Sequence, residues 1–168
     1  MIIYLDMDGV LADFFGGFAK RFAKDHWKMI ENKEKAITEL KGTDFFNTLE
    51  MFSSTLELVD FVQGLVGDDG WGINSSPLRG DRDNSVYWKR VWLTRNFIMP
   101  KVENLIFTGR KEQYAMDKID GTPNVLIDDK PSNVGRWTAK GGIGILYQAN
   151  QDSLVMLKQK LIGIVENS

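Results

Sequence analysis

The 168-residue chain has no cysteine, which excludes disulfides and zinc-thiolate sites and is typical of a protein from a reducing compartment. It shows no basic N-terminal segment followed by an apolar stretch, and no apolar run approaches the roughly 18 residues of a membrane span. The net charge is only -2, and Lys and Arg are dispersed among acidic residues. These absences predict a cytoplasmic protein with neither a membrane nor a long nucleic acid as its partner.

The apolar residues instead form short runs that scarcely alternate with polar ones. The runs cover residues 2–5, 71–73, 104–107, 124–127 and 143–147. This pattern is typical of parallel strands that are covered on both faces. Helical patterns lie over residues 85–97 and 152–165, the second with Asp152 as its candidate cap. The sequence therefore predicts an α/β fold, in which ligands bind outside the carboxyl ends of the strands.

Residues 13–70 differ from the rest of the chain because they contain no convincing strand. Helical patterns cover 14–27, 31–41 and 54–65, and aromatic residues are concentrated there. A direct crossover between two parallel strands needs far fewer residues. We therefore expect a small helical cap at 13–70, inserted after the first strand of a core formed by 1–12 and 71–168. Most of the aromatic residues are expected to form the core of the cap, and one or two to face a ligand.

Two pairs of acidic residues stand where predicted strands end. Asp6 and Asp8 follow the first strand, and Asp128 and Asp129 follow the fourth. Each pair alone is compatible with an ordinary turn. Neighbouring carboxylates disfavour each other's ionisation, however, so either a cation lies between them or one of them stays protonated.

Hydroxyl groups and cations follow the second and third strands. Ser75, Ser76 and Arg79 come after the second strand, and Lys111 comes after the third. Turn or surface roles would explain each of them separately, but parallel strands bring all these ends to one edge of the sheet. Carboxylate oxygens there suit Mg2+, which usually completes its coordination with a substrate phosphate. Hydroxyl groups and cations suit the phosphate itself.

These residues resemble the four sequence motifs of the haloacid dehalogenase superfamily. Asp6-Met7-Asp8-Gly9-Val10 is similar to the first motif, Ser75 to the second, Lys111 to the third and Asp128-Asp129 to the fourth. Within that superfamily the chain most resembles the 5'(3')-deoxyribonucleotidases. That likeness is carried by residues 6–14, Gly16-Gly17-Phe18, Phe45-Phe46, Leu49-Glu50, Ser75-Ser76-Pro77 and 126–129.

The resemblance implies a Rossmann-like doubly wound parallel sheet and a Mg2+-dependent phosphatase. Asp6 is then expected to attack phosphorus and form an aspartyl-phosphate. Asp8 is expected to transfer protons and to offer its carbonyl to the metal. Asp129 is expected to bind the metal directly, whereas Asp128 acts through water or orients Lys111. The phosphate is expected to contact Ser75, Ser76, Lys111 and Arg79, and a nucleobase to stack on Phe14, Phe18 or Phe46.

The substrate class stays open at this point. A nucleoside monophosphate is the first expectation, and a 3'-phosphate on a nucleic-acid end or a small phosphorylated metabolite is the alternative. A third hypothesis is a module that binds Mg2+ and phosphate without turnover, because a fold does not determine a function. A homodimer is compatible with the sequence, which contains no signal for or against it.

Overall fold

A computed structural model of the chain, which describes residues 1–167, contains one five-stranded parallel sheet. Its strands are β1 (Ile3–Leu5), β2 (Trp71–Ser75), β3 (Leu105–Phe107), β4 (Val125–Asp128) and β5 (Ile143–Leu146). They lie in the order β3-β2-β1-β4-β5. This order is that of a doubly wound α/β sheet, so the predicted fold class is confirmed.

All five strands arise where the sequence predicts them, because short runs of buried apolar residues supply both faces of the sheet. Two strands run further than expected, so Ser75 and Asp128 are the last residues of β2 and β4 rather than loop residues, and both are fully buried. Their side chains are therefore held by the sheet itself.

Helices cover both faces of the sheet and form the segment after β1. They are α1 (Phe14–Arg21), α2 (Lys33–Thr38), α3 (Phe45–Thr48), α4 (Thr55–Val66), α5 (Arg82–Arg95), α6 (Pro131–Ala139) and α7 (Leu154–Glu166). Short 3-10 helices lie at Trp27–Met29, Val102–Asn104 and Lys111–Tyr114. None of the helices within residues 1–167 combines the length and apolarity needed to cross a membrane.

The caps of two helices show how local hydrogen bonding sets their ends. Asp13 caps α1 by accepting a hydrogen bond from the Gly16 amide. The expected cap of α7 at Asp152 is wrong by one residue, because the Ser153 hydroxyl accepts the amide of Met156 while the Asp152 carboxylate accepts that of Gln148. Both residue types are good caps, so the sequence alone did not separate them.

The segment between β1 and β2 is attached to the core by a short stem. Ala12 bridges Met51 in antiparallel fashion, and the Asp13 amide donates to the Glu50 carbonyl over 2.9 Å. Beyond this stem α4 packs against β2 and α7, as the helix of an ordinary crossover does. We therefore propose that the cap comprises residues 13–50 rather than the expected 13–70.

Candidate active site

Three carboxylates converge where β1 and β4 end side by side. Oxygen atoms of Asp6, Asp128 and Asp129 all lie within 4.8 Å of one another. Asp6 is 6% exposed and Asp128 is fully buried. This is the point at which the order of the strands reverses, so a crevice opens there between the flanking loops.

The cluster carries more negative charge than its surroundings offset. Burial, together with the charges of Asp6, Asp128 and Asp8, raises the pKa of Asp129 from 3.8 to about 8. Burial and the Asp6 charge likewise raise the pKa of Asp128, although Lys111 opposes the shift. A divalent cation would remove this conflict, and an all-oxygen donor set is the one that Mg2+ prefers.

The turn after β1 is built to bring Asp129 close. The Met7 carbonyl accepts the amides of Leu11 and Ala12, which folds the chain back behind Asp6. Gly9 has a positive φ of 80°, and a Cβ at this position would lie 2.5 Å from the Asp129 carboxylate. The turn needs glycine for its backbone conformation and for the space that Asp129 occupies.

Lys111 joins the two acidic strand ends. Its ammonium lies 2.9 Å from Asp6 Oδ1 and 2.6 Å from Asp128 Oδ2, and the side chain is 1% exposed. Burial by itself would lower the pKa of Lys111, but the two carboxylates raise it above its ordinary value. The group stays positively charged beside Asp6, as the sequence-based interpretation requires.

A second buried lysine, Lys89 of α5, escaped the sequence analysis. Its fully buried ammonium donates to Asp8 Oδ2 over 2.7 Å, to Ser75 Oγ over 3.0 Å and to the Ser76 carbonyl over 2.9 Å. One signal was present in the sequence, because Lys89 has helical spacing from Ser85, Trp92 and Leu93 and so falls on the buried face of α5. A lysine on such a face needs a partner.

Asp8 is held on one side only. Its Oδ2 pairs with Lys89, whereas its buried Oδ1 has no hydrogen-bond partner within residues 1–167. Burial raises the pKa of Asp8, Lys89 opposes that shift and Asp6 adds to it. A carboxyl group with one free oxygen and a raised pKa is suited to giving and taking a proton.

A cavity of about 470 Å³ opens above these groups. Its lining residues are Asp6, Asp8, Phe14, Phe15, Ser76, Asp129, Lys130, Pro131, Asn133 and Gln148. The expected residues Asp6, Asp8, Asp129, Ser76 and Phe14 are therefore brought together. Ser75 and Lys111 lie buried beside them.

Phe18, Phe46 and Arg79, which were expected at the site, do not line this cavity. Phe18 and Phe46 are 2% and 3% exposed and pack behind Phe14, with ring centroids 5.6 Å and 6.3 Å from it, because the cap needs them as its core. Arg79 lies in an exposed turn and is not among the residues that line the cavity. The cation next to Ser75 is Lys89 instead.

Comparison with known proteins identifies the family of the chain. A family model described as "5' nucleotidase, deoxy (Pyrimidine), cytosolic type C protein" matches residues 1–156. The chain belongs to this family. Its membership confirms the resemblance to the 5'(3')-deoxyribonucleotidases and, with it, the enzyme class of phosphatase.

Two curated relatives carry the name "5'(3')-deoxyribonucleotidase, mitochondrial". The Mus musculus protein is 29% identical over an alignment of 154 positions, gaps included, and the alignment covers 79% of this chain and 66% of the relative. The Homo sapiens protein is 27% identical over an alignment of 177 positions, gaps included, and the alignment covers 93% of this chain and 74% of the relative. The chain thus spans about two thirds to three quarters of the length of these relatives. The cytoplasmic location stays a prediction.

A solved structure shares the fold. A hydrolase from Streptococcus pneumoniae TIGR4 superposes with a TM-score of 0.57 over 95% of this chain and 97% of that one, at 14% sequence identity. At this level of identity the likeness concerns the architecture, and the chemistry of the present site is argued from its own residues.

Proposed function

We propose that the protein hydrolyses phosphate monoesters of (deoxy)nucleosides, with Mg2+ as its cofactor and an aspartyl-phosphate as its intermediate. The observation that carries the proposal is the setting of Asp6. This carboxylate forms the floor of the cavity, lies beside two further acids and contacts a buried ammonium over 2.9 Å. Such a group can approach an anionic phosphate only if nearby cations offset the repulsion.

The donor set fits a magnesium ion. Asp6 and Asp129 would bind it together with the Asp8 carbonyl, whereas both oxygens of Asp128 already accept hydrogen bonds from Lys111, Lys130 and Asn133. When bound, the ion supplies positive charge to the phosphate oxygens and keeps the carboxylates ionised.

The chain's own residues carry out the two displacements. Asp6 Oδ1 is fixed by the Met7 amide and by Lys111, so we assign the attack on phosphorus to Oδ2. As the new O–P bond forms, the ester O–P bond breaks and Asp8 gives its proton to the leaving oxygen. In the second step Asp8 takes a proton from water, whose oxygen displaces Asp6 and releases inorganic phosphate.

Two lysines offset the negative charge that develops around the phosphate in both steps. Lys111 faces Asp6 from one side, and Lys89 reaches Asp8 and Ser75 from the other. The backbone and hydroxyl of Ser76 at the cavity wall are suited to phosphate oxygens. Fixed donors of this kind stabilise the transition state because they need no rearrangement during the reaction.

The aromatic wall and the family support a nucleoside as the organic part of the substrate. Phe14 and Phe15 line the cavity above the carboxylates, and Phe15 is braced by Trp27, with ring centroids 5.0 Å apart. Stacking of a base on an aromatic ring contributes about 1–3 kcal/mol in single-strand binding proteins. Phe14 keeps the role expected from the sequence, and Phe15 joins it.

Phosphate release tests the proposal. With saturating Mg2+, we expect turnover of deoxynucleoside 5'- or 3'-monophosphates and a loss of roughly 1,000-fold or more in Asp6→Asn, which removes the nucleophile. Asp13→Asn is the matched control, because Asp13 lies outside the carboxylate cluster and asparagine also caps helices well.

The same assay separates the alternatives. Preferential hydrolysis of a 3'-phosphorylated oligonucleotide or of sugar phosphates would replace the nucleotide substrate. Nucleotide binding without phosphate release would indicate a non-catalytic module. Near-normal turnover by Asp6→Asn would refute the assigned nucleophile.

A further inference from the structure

The Asp128 carboxylate at the end of β4 accepts four hydrogen bonds, two at each oxygen. Its Oδ1 accepts the Lys130 amide over 2.9 Å and Asn133 Nδ2 over 3.1 Å. Its Oδ2 accepts Lys111 Nζ over 2.6 Å and Asn133 Nδ2 over 3.0 Å. Because each oxygen accepts two hydrogen bonds, the carboxylate is held in one orientation. The ammonium of Lys111, which donates one of these bonds, is thereby held in place as well.

The side-chain amide of Asn133 is oriented by Arg136. Arg136 Nη2 donates to Asn133 Oδ1 over 2.7 Å, and the two residues are one turn apart on α6. A guanidinium group can only donate, so the amide oxygen must face Arg136 and the amide nitrogen must face Asp128. Asn133 is 7% exposed, and a flipped amide would place its oxygen against the carboxylate.

Arg136 also forms an ion pair with the 3-10 helix that carries Lys111. Its Nε lies 3.5 Å from Glu112 Oε2, and Glu112 follows Lys111 in the 3-10 helix Lys111–Tyr114. Together with the backbone between Lys111 and Glu112, these contacts form a closed ring of five residues: Lys111, Asp128, Asn133, Arg136 and Glu112. The 3-10 helix is thereby held at two points beside Asp6, by Asp128 and by Arg136.

We propose that Asn133 and Arg136 are positioning residues, which set the place of the Lys111 ammonium relative to Asp6 by way of Asp128. The inference rests on the proposed function, since it assigns a purpose to the ring within that reaction. A purely structural role, in which the two residues only hold the first turns of α6, makes different predictions for two variants.

The first variant is Asn133→Asp. It keeps an acceptor for Arg136, so a structural role would be preserved, but it replaces the donor to Asp128 by a carboxylate oxygen. The second is Arg136→Met, which keeps length and removes the donor. Lys140→Met is the matched control, because this exposed lysine follows α6 directly and has no side-chain hydrogen bond or ion pair within residues 1–167.

We expect kcat to fall roughly tenfold in Arg136→Met, with KM and the melting temperature nearly unchanged. In Asn133→Asp kcat should fall further, and the added carboxylate beside Asp128 should also lower the melting temperature. Lys140→Met should match the wild type, and Arg136→Lys, which keeps a donor, should recover most of the rate. Equal kcat values in Asn133→Asp and Lys140→Met would overturn the proposal.

An NMR measurement on the metal-free protein decides the question independently of catalysis. The 15N signal of the Lys111 ammonium, assigned by its loss in Lys111→Met, should be sharp in the wild type because the group is buried and fully bonded. We expect it to broaden or shift in both ring variants and not in Lys140→Met. If it is unchanged in both ring variants, the proposal is wrong. If the wild type releases no phosphate, the proposed function fails while this signal still tests the positioning.

Discussion

Without divalent cations, the folded protein is expected to lose stability as the pH rises from about 5 to about 7. The cause is Asp129, whose pKa is raised from 3.8 to about 8 by burial and by the charges of Asp6, Asp128 and Asp8. In the unfolded chain its pKa returns to about 3.9. Between these two values the folded state holds a proton that the unfolded state has released, so a rise in pH favours unfolding.

The size of the effect follows from proton linkage. One extra bound proton changes the free energy of unfolding by about 1.4 kcal/mol per pH unit, so Asp129 alone accounts for about 3 kcal/mol between pH 5 and pH 7. This stabilising contribution is complete below about pH 4 and is lost as the pH rises to about 8. Bound Mg2+ favours the ionised carboxylate and should therefore remove or reverse the slope.

Urea unfolding followed by tryptophan fluorescence measures the slope, at constant ionic strength with EDTA and again with Mg2+. Asp129→Asn is the informative variant, because it keeps the shape of the side chain and cannot ionise. Its free energy of unfolding should vary less with pH by about the amount calculated above. Equal slopes in wild type and Asp129→Asn, or a wild-type slope that Mg2+ leaves unchanged, would refute the electrostatic reasoning.

Three further predictions concern single contacts. Gly9→Ala should weaken Mg2+ binding in a calorimetric titration, because its Cβ would meet Asp129. The control Gly121→Ala has a similar φ of 72° but open space around the Cβ, so it should lose only the folding stability, about 1–2 kcal/mol, that the left-handed backbone costs. Lys89→Met should lower stability by about 1–3 kcal/mol in urea unfolding because it leaves the half-buried Asp8 without its partner, and adding Asp8→Asn should restore much of it; no restoration would contradict the pairing. Trp92→Phe should cost about 1–3 kcal/mol in thermal unfolding, because the Leu49 carbonyl loses the 2.8 Å hydrogen bond from Trp92 Nε1; an unchanged melting temperature would argue against that bond.

The acidic strand ends could be predicted because parallel strands leave few choices. Short apolar runs fix where each strand ends, and the carboxyl ends of parallel strands meet at one edge. The sequence therefore predicts that Asp6, Asp128 and Asp129 converge, and Lys111 with them. The position of Lys89 depends instead on which face of α5 is turned towards the sheet.

Which aromatic residues of the cap reach the cavity could not be predicted from the sequence. Phe14, Phe15 and Phe18 lie within about one turn of α1, yet only the first two reach the cavity. Phe14 also packs against Phe45 and Phe46 of α3, and Phe18 stacks behind Phe14, contacts that the spacing along α1 does not predict. Arg79 shows the same limit, because two residues after Pro77 the chain has already turned away into solvent.

The stem formed by Ala12 and Met51 has a consequence for how this protein can change over time. The intervening residues leave and re-enter the core at adjacent points, so the stem itself sets no limit on their number, and the packing of α3 against α5 is the part of the cap that has to be kept. Loop-closure entropy grows only slowly with length, and the strand pairing of Ile3–Leu5 is independent of what lies beyond Asp13. The cap can therefore be lengthened or shortened away from α3 while the carboxylates keep their places. Substrate recognition and bond cleavage can vary separately in such a chain, and a chimera that carries a relative's cap on this stem is feasible where the contacts of α3 with α5 are kept.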